Sequence, residues 1–142
     1  MNYLPTVINI ETVNRYCNAR CPMCTIKFSP EYSNVSKDEF SHNGILRKAE
    51  IMTLDNFKII IDKFKSIAGN ITALNLHGCG EPLLDKSLAD KVKYAKISGF
   101  TNVGFSSNCD ILTRETTESL LDSGLNCLIA SIDGLSTDVQ EK

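Results

Sequence analysis

The chain has 142 residues, about one domain, with 42% hydrophobic and 23% charged residues, which is ordinary for a globular protein. A formal net charge of −2 gives no reason to expect nucleic acid or an anionic membrane as a nonspecific partner. No apolar run reaches bilayer-spanning length, and residues 1–10 lack the basic-then-apolar pattern of a signal peptide. Six cysteines without an export signal are therefore expected as free thiols in the reducing cytoplasm.

In chain order, residues 6–13 are β-branched and apolar and read as a first strand. They lead into Cys17-Asn18-Ala19-Arg20-Cys21-Pro22-Met23-Cys24. Residues 25–52 show little periodicity and hold Pro30, Asn34, Asn43 and Gly44, so they read as a long loop. Thr53 has the character of an N-cap. Leu54, Phe57, Ile61, Phe64 and Ala68 follow at helical spacing, with Gly69 placed to end the helix. Residues 71–76 read as a second strand, ending at His77-Gly78-Cys79-Gly80-Glu81-Pro82. A second helix starts near Ser87, carries Leu88, Val92 and Ala95 on one face, and ends at Gly99. Residues 103–107 form a third strand. Residues 113–123 form a third helix between Thr113 and Gly124. Residues 127–132 form a fourth strand, and Ser136 has the character of the cap of a fourth helix.

Alternating strands and helices with short connections predict an α/β fold of parallel strands joined by crossovers. The C-terminal ends of parallel strands lie on one rim, where ligands bind. Four segments place cysteine, glycine or small polar residues there: the cysteine loop, the turn from Gly78 to Glu81, Ser106-Ser107-Asn108, and Ser131 with Asp133.

The cysteine loop carries the sharpest chemistry. Its spacing is three residues, then two, and it supplies three thiolates and no fourth. A cubane iron–sulfur cluster has four irons, each normally held by one cysteine, so three ligands leave one iron open to bind something that reacts. A structural zinc site would take four ligands, usually as two close pairs. No second pair exists here, because Cys79, Cys109 and Cys127 are scattered singly. A disulfide framework fits the even count, but disulfide scaffolds are short and loop-rich, unlike these long periodic segments.

Taken together, these motifs resemble the N-terminal part of a radical S-adenosylmethionine (SAM) domain over nearly the whole chain. Cys17, Cys21 and Cys24 match that family's cysteine motif in full spacing. Gly78-Cys79-Gly80-Glu81-Pro82 is similar to its Gly-Gly-Glu motif, with Cys79 where a second glycine is usual. Met23 stands where the family often has an aromatic residue. Ser106-Ser107-Asn108 and Ser131-Ile132-Asp133-Gly134 resemble its third and fourth strand ends.

The resemblance implies a partial (β/α) barrel of which about four β/α units are present, and an enzyme. It implies that Cys17, Cys21 and Cys24 hold a [4Fe–4S] cluster and that SAM chelates the fourth iron. Gly80 and Glu81 would meet the SAM amino group. Ser107, Asn108, Ser131 and Asp133 would be candidates for its ribose and carboxylate. SAM would be cleaved reductively to a 5′-deoxyadenosyl radical that abstracts hydrogen from a peptide or small-molecule substrate. The electron would come from a reductant such as flavodoxin or ferredoxin. The alternative is a non-catalytic metal-binding fragment, iron–sulfur or zinc.

Other residues have plainer readings. Cys79 is read as a small residue fitted to the turn, and Cys109 and Cys127 as small, partly buried side chains. His77 reads equally as a ligand contact and as a hydrogen-bonded structural residue. The lysines at 58, 63, 65, 86, 91, 93 and 96 are read as solvated helix faces. A complete barrel of this type has more strands, so residues 1–142 are expected to be the N-terminal portion of a longer domain, with the fourth strand as an unpaired edge and little turnover alone. Substrate identity and any auxiliary clusters would lie in later segments.

Overall fold

The computed structural model describes residues 4–21, 24, 50–132 and 134. Most of the expected 25–52 loop, Asp133 and the helix expected from Ser136 lie outside the described residues.

Among the described residues three helices form on apolar periodicity, the first and third with side-chain caps. Helix α1 spans Leu54–Phe64; the Thr53 side chain accepts from the Asn56 N–H at 3.2 Å, and Phe57 and Ile61 are buried. Helix α2 spans Leu88–Ile97 and buries Leu88, Val92 and Ala95, with Gly99 at φ 99° just past its end. Helix α3 spans Arg114–Asp122, capped by Thr113 accepting from the Thr116 N–H at 3.1 Å, with Gly124 at φ 89° past its end. Two ends differ from expectation. After α1 the chain tightens into a 3₁₀ segment, Lys65–Asn70, so Gly69 is not a left-handed terminator. Before α2 the Ser87 hydroxyl does not cap the helix but donates to Asp85 at 2.7 Å.

The first strand is shorter than 6–13, and its residues split between two sheets. β1, Val7–Asn9, joins the main sheet; β2, Val13–Asn14, pairs antiparallel with β3, Glu50–Ile51. The reason is visible in burial. Ile8 and Ile10 alternate toward the core, and the alternation breaks at Thr12 and Val13, which are both buried where the chain leaves the main sheet to pair with β3. The pairing with β3, together with the Met52 N–H bonded to the Thr12 carbonyl at 2.8 Å, ties down the C-terminal end of the expected loop.

Among the described residues, the hydroxyl of fully buried Thr12 has no hydrogen-bond partner. An unsatisfied buried hydroxyl costs about 1–3 kcal/mol, and an apolar group of the same shape avoids that cost. Thr12→Val is therefore expected to raise stability by about 1 kcal/mol. An increased urea midpoint at unchanged slope is the check, and a decrease would show that the hydroxyl has a partner.

The main sheet adds β4, Ala73–Asn75, β5, Val103–Ser107, and β6, Cys127–Ala130. All pairs are parallel, in the order β1-β4-β5-β6. β4 and β6 are shorter than expected, and β5 has the expected bounds. Strand order follows chain order without reversal, so the sheet winds one way, as a barrel does; a doubly wound sheet would reverse at a switch point.

Leu74, Leu76, Val103 and Phe105 point to one face and join the buried residues of all three helices in a single core. Asn9, Asn75, Gly104 and Cys127 share the opposite face by register. There the Asn75 amide donates to Asn9 at 2.8 Å, and a Cβ on Gly104 would lie 2.8 Å from the Cys127 carbonyl oxygen. Among the described residues no helix is long and apolar enough to cross a membrane.

The lysines are not all solvated faces. Lys91 is fully buried; its ammonium is paired with Asp85 and bonded to the Met52 carbonyl. Lys96 bonds the Thr101 carbonyl at 2.7 Å and the Asn126 side chain at 2.8 Å. Lys91 stands three residues after Leu88, on the helix face that also carries Val92 and Ala95, so the fold has to supply it with a partner.

Candidate functional site

The cysteine loop begins with a sharp bend. Arg15, 7% exposed, has φ 64°, a left-handed conformation uncommon outside glycine. It turns the chain out of β2, so that the Tyr16 carbonyl accepts from the Glu81 N–H at 2.8 Å. The cysteine loop is thereby bonded directly to the turn after β4.

That turn is held from below. Glu11 accepts from the Cys79 N–H at 2.5 Å. A Cβ on Gly80 would sit 2.3 Å from the Val13 carbonyl oxygen, and one on Gly78 would sit 2.6 Å from the Glu11 carboxylate. At Gly80 a second backbone segment comes too close for any side chain, whereas at Gly78 the space is taken by the Glu11 side chain. Cys79 is exposed and fits between them.

Glu81 faces inward and is 3% exposed. One carboxylate oxygen accepts from the Leu83 N–H at 3.0 Å and the Ser107 hydroxyl at 2.7 Å; the other accepts from the Asn108 N–H at 3.0 Å. Three donors satisfy most of its four lone-pair directions. Ser107, also buried, spends its proton on Glu81 and accepts from the Cys109 N–H at 2.9 Å. Glu81 and Ser107 thus form a clamp between the ends of β4 and β5.

Asn108 carries the clamp onward to the cysteine loop. Its amide donates to Cys17 Sγ at 3.7 Å and to Asn18 Oδ1 at 3.2 Å, while its own oxygen accepts from the Asp110 N–H at 3.0 Å. Asn18 in turn donates to the Asp110 carboxylate at 2.7 Å. Cys109, at φ 60°, makes the turn that allows this. Two non-glycine residues in left-handed backbone, Arg15 and Cys109, therefore flank the site, where such strain concentrates.

The structure brings Cys17, Gly80, Glu81, Ser107 and Asn108 into one linked rim. Ser131 is exposed; its N–H bonds the Ser107 carbonyl at 2.8 Å, and its hydroxyl lies 3.0 Å from that of Ser106. His77 accepts from the Ser106 N–H through Nδ1 at 3.2 Å, which is the hydrogen-bonded structural reading. Asp133 is outside the described residues. Three contributors are not in the expected set: Asn18, Asp110 and Glu11. Asn18 lies inside the cysteine motif and Glu11 beside it, but nothing in the sequence singles out Asp110.

The donor chemistry fits an iron–sulfur group. Cys17, Cys21 and Cys24 are free and partly exposed, and three soft thiols on one short loop suit a cluster. Among the described residues no three His, Cys, Asp or Glu side chains are gathered to hold a single ion. A cubane does not demand that, because each cysteine serves a different iron. Burial raises the Cys17 thiol pKa, opposed by a hydrogen bond from the Ala19 backbone and reinforced by the charge of Glu81 and the other two cysteines. A bound metal would have to displace that proton.

A singly wound parallel sheet with its polar rim at the C-terminal strand ends defines a β/α-barrel segment. The profile of the radical SAM superfamily matches residues 12–142, and the chain belongs to that superfamily. No curated protein matches it in sequence. Among solved structures it is similar to BtrN in complex with AdoMet and 2-DOIA, with a TM-score of 0.71 and 22% identity over 100% of this chain and 56% of BtrN. It is also similar to selenomethionine BtrN in an open conformation, with a TM-score of 0.66 and 21% identity over 92% of this chain and 51% of that one. The chain thus spans about half the length of these neighbours, and at this identity the likeness is one of fold.

Proposed function

We propose that Cys17, Cys21 and Cys24 hold a [4Fe–4S] cluster and that SAM binds its open iron on the rim that carries Gly80, Glu81 and Ser131, with Asp133 a further candidate contact. The observation that carries this reading is the bonding of the cysteine loop to the Glu81 turn and to Asn108. It supports the reading because it ties Tyr16 and Cys17 to the residues that follow β4 and β5. With the cluster and SAM bound, the chemistry supplied is one-electron cleavage of SAM to methionine and a 5′-deoxyadenosyl radical, which takes hydrogen from a peptide or small-molecule substrate.

The chain's own residues orient and support. Buried Glu81 fixes the turn so that the Gly80 backbone presents a fixed edge to the SAM amino group. Ser107 and Asn108 brace that turn and the cysteine loop. Ser131, exposed just past β6, shares a hydrogen bond with the Ser106 hydroxyl and is the candidate for a ribose hydroxyl. Asp133 is kept, from its place in the sequence, as a candidate for the same ligand. The electron would come from a flavodoxin- or ferredoxin-type reductant, and the remainder of the barrel would supply the substrate wall.

The test is anaerobic reconstitution with iron and sulfide, followed by EPR of the dithionite-reduced protein with and without SAM. A reduced [4Fe–4S] signal that changes on adding SAM is expected in the wild type. Single Cys17→Ala, Cys21→Ala and Cys24→Ala variants are expected to lose most of their cluster iron. A cluster indifferent to SAM would leave a non-catalytic metal-binding unit, and tight zinc without acid-labile sulfide would overturn the reading.

A further inference from the structure

Asn108 has every donor committed to protein. Its two amide hydrogens go to Cys17 Sγ and Asn18 Oδ1, and its oxygen is held by the Asp110 N–H. The orientation of the amide is fixed from both ends. Asp110 accepts from Asn18 Nδ2, which leaves Asn18 Oδ1 facing Asn108, and the Asp110 N–H requires the Asn108 oxygen on its own side. A ligand carboxylate or hydroxyl seeking a donor from Asn108 would have to break one of these bonds.

We propose that Asn108 is a positioning residue for the cluster and not a SAM contact: its amide donates to the Cys17 sulfur, holds that ligand in place and raises the cluster's reduction potential. This rests on the cluster assignment made above. Hydrogen bonds to cluster sulfur withdraw negative charge and favour the reduced state, which is one of the levers by which a protein sets cluster potential. The Asp110–Asn18–Asn108 chain holds the donor toward Cys17 through contacts within the protein.

Asn108→Asp is the sharp variant. It keeps an oxygen able to accept from the Asp110 N–H and the backbone N–H that serves Glu81. It exchanges the donor for a charged acceptor, so its shift combines the lost bond with an added negative charge, whereas Asn108→Ala reads the lost bond without that charge. Asn108→Ala removes donor and acceptor together. Both are reconstituted as the whole chain, and the potential is read by EPR-monitored redox titration. The expected order is wild type highest, Asn108→Ala lower and Asn108→Asp lowest. In Asn108→Ala the SAM concentration that half-changes the EPR signal should stay within about twofold of wild type, a difference of about 0.4 kcal/mol.

An unchanged potential in both variants at full iron content overturns the proposal. So does weakened SAM binding at unchanged potential, which would return Asn108 to the ligand. The metal-free protein gives a second readout by NMR. The Asn108 side-chain amide signals should move in Cys17→Ala and stay in Cys79→Ala, and no movement in Cys17→Ala overturns the contact. If the wild type takes up no cluster, the cluster reading fails on that result, and the NMR arm still decides whether the amide–sulfur bond exists.

Discussion

Lys91→Ala is expected to destabilise the protein by about 3–5 kcal/mol, enough to unfold much of a marginal domain. Lys91 and Asp85 form a buried ion pair in which the two side chains are 0% and 2% exposed. Removing the ammonium leaves Asp85 charged and buried. Asp85 keeps its bonds from the Ser87 N–H and hydroxyl, at 2.9 and 2.7 Å, but these do not neutralise it. The same change orphans the Met52 carbonyl. The double variant Lys91→Met/Asp85→Asn should recover a large part of the loss, because neither partner is then a lone buried charge. Chemical denaturation of the wild type, both singles and the double decides it. A loss below about 1 kcal/mol in Lys91→Ala would mean that water reaches the pair and that it behaves as a surface bridge.

The pair also links elements that bear on the rim. Asp85 follows the 3₁₀ turn Pro82–Leu84 that starts at Glu81, and Met52 ends the strand-like segment that pairs with β2 just ahead of the cysteine loop. One buried lysine on α2 therefore holds together the C-terminal end of the long loop, the Glu81 turn and the helix layer. Loosening it is expected to be felt at the site as well as in global stability.

The sequence carries the local features of this fold and not the contacts made across it. The helices were legible because Thr53 and Thr113 cap them and Gly99 and Gly124 end them, all local chemistry. β5 was legible with its bounds because its burial is nearly continuous. The split of the first strand was not, because it depends on pairing between residues 13–14 and 50–51, a contact across the cysteine loop that no local pattern encodes. Lys91 was misread because charge was weighted above its position on the apolar face of α2. At the site, the cysteine spacing and the glycine turn pointed to the rim. What they could not show was direction. Ser107 turns into Glu81, and Asn108 turns to Cys17, because Cys109 adopts a left-handed φ and Asp110 supplies an N–H; both are consequences of tertiary fit.

Gly80→Ala should damage both the fold and the rim, whereas Gly69→Ala should do neither. At Gly80 an added Cβ would lie 2.3 Å from the Val13 carbonyl oxygen and 2.8 Å from both its carbonyl carbon and Cγ1. Two of those three atoms are backbone, so no side-chain rotation relieves the clash, and the turn must move off β2. Overpacking of this kind costs about 1–3 kcal/mol, and the upper end is expected here. The movement would carry Glu81 with it, because the Glu81 N–H is bonded to the Tyr16 carbonyl and its side chain to Ser107 and Asn108. The cysteine loop would then lose a direct tie to the sheet, and iron uptake should fall even in the fraction that stays folded. At Gly69 nothing lies within 4 Å of an added Cβ, and its φ is not positive. There alanine should stabilise by about 0.4–1 kcal/mol through the unfolded chain. Denaturation midpoints together with iron per chain after reconstitution separate the two sites. A Gly80→Ala protein with wild-type stability and wild-type iron content would show that the turn can shift without the clamp, and that Glu81 is not what holds the cysteine loop in place.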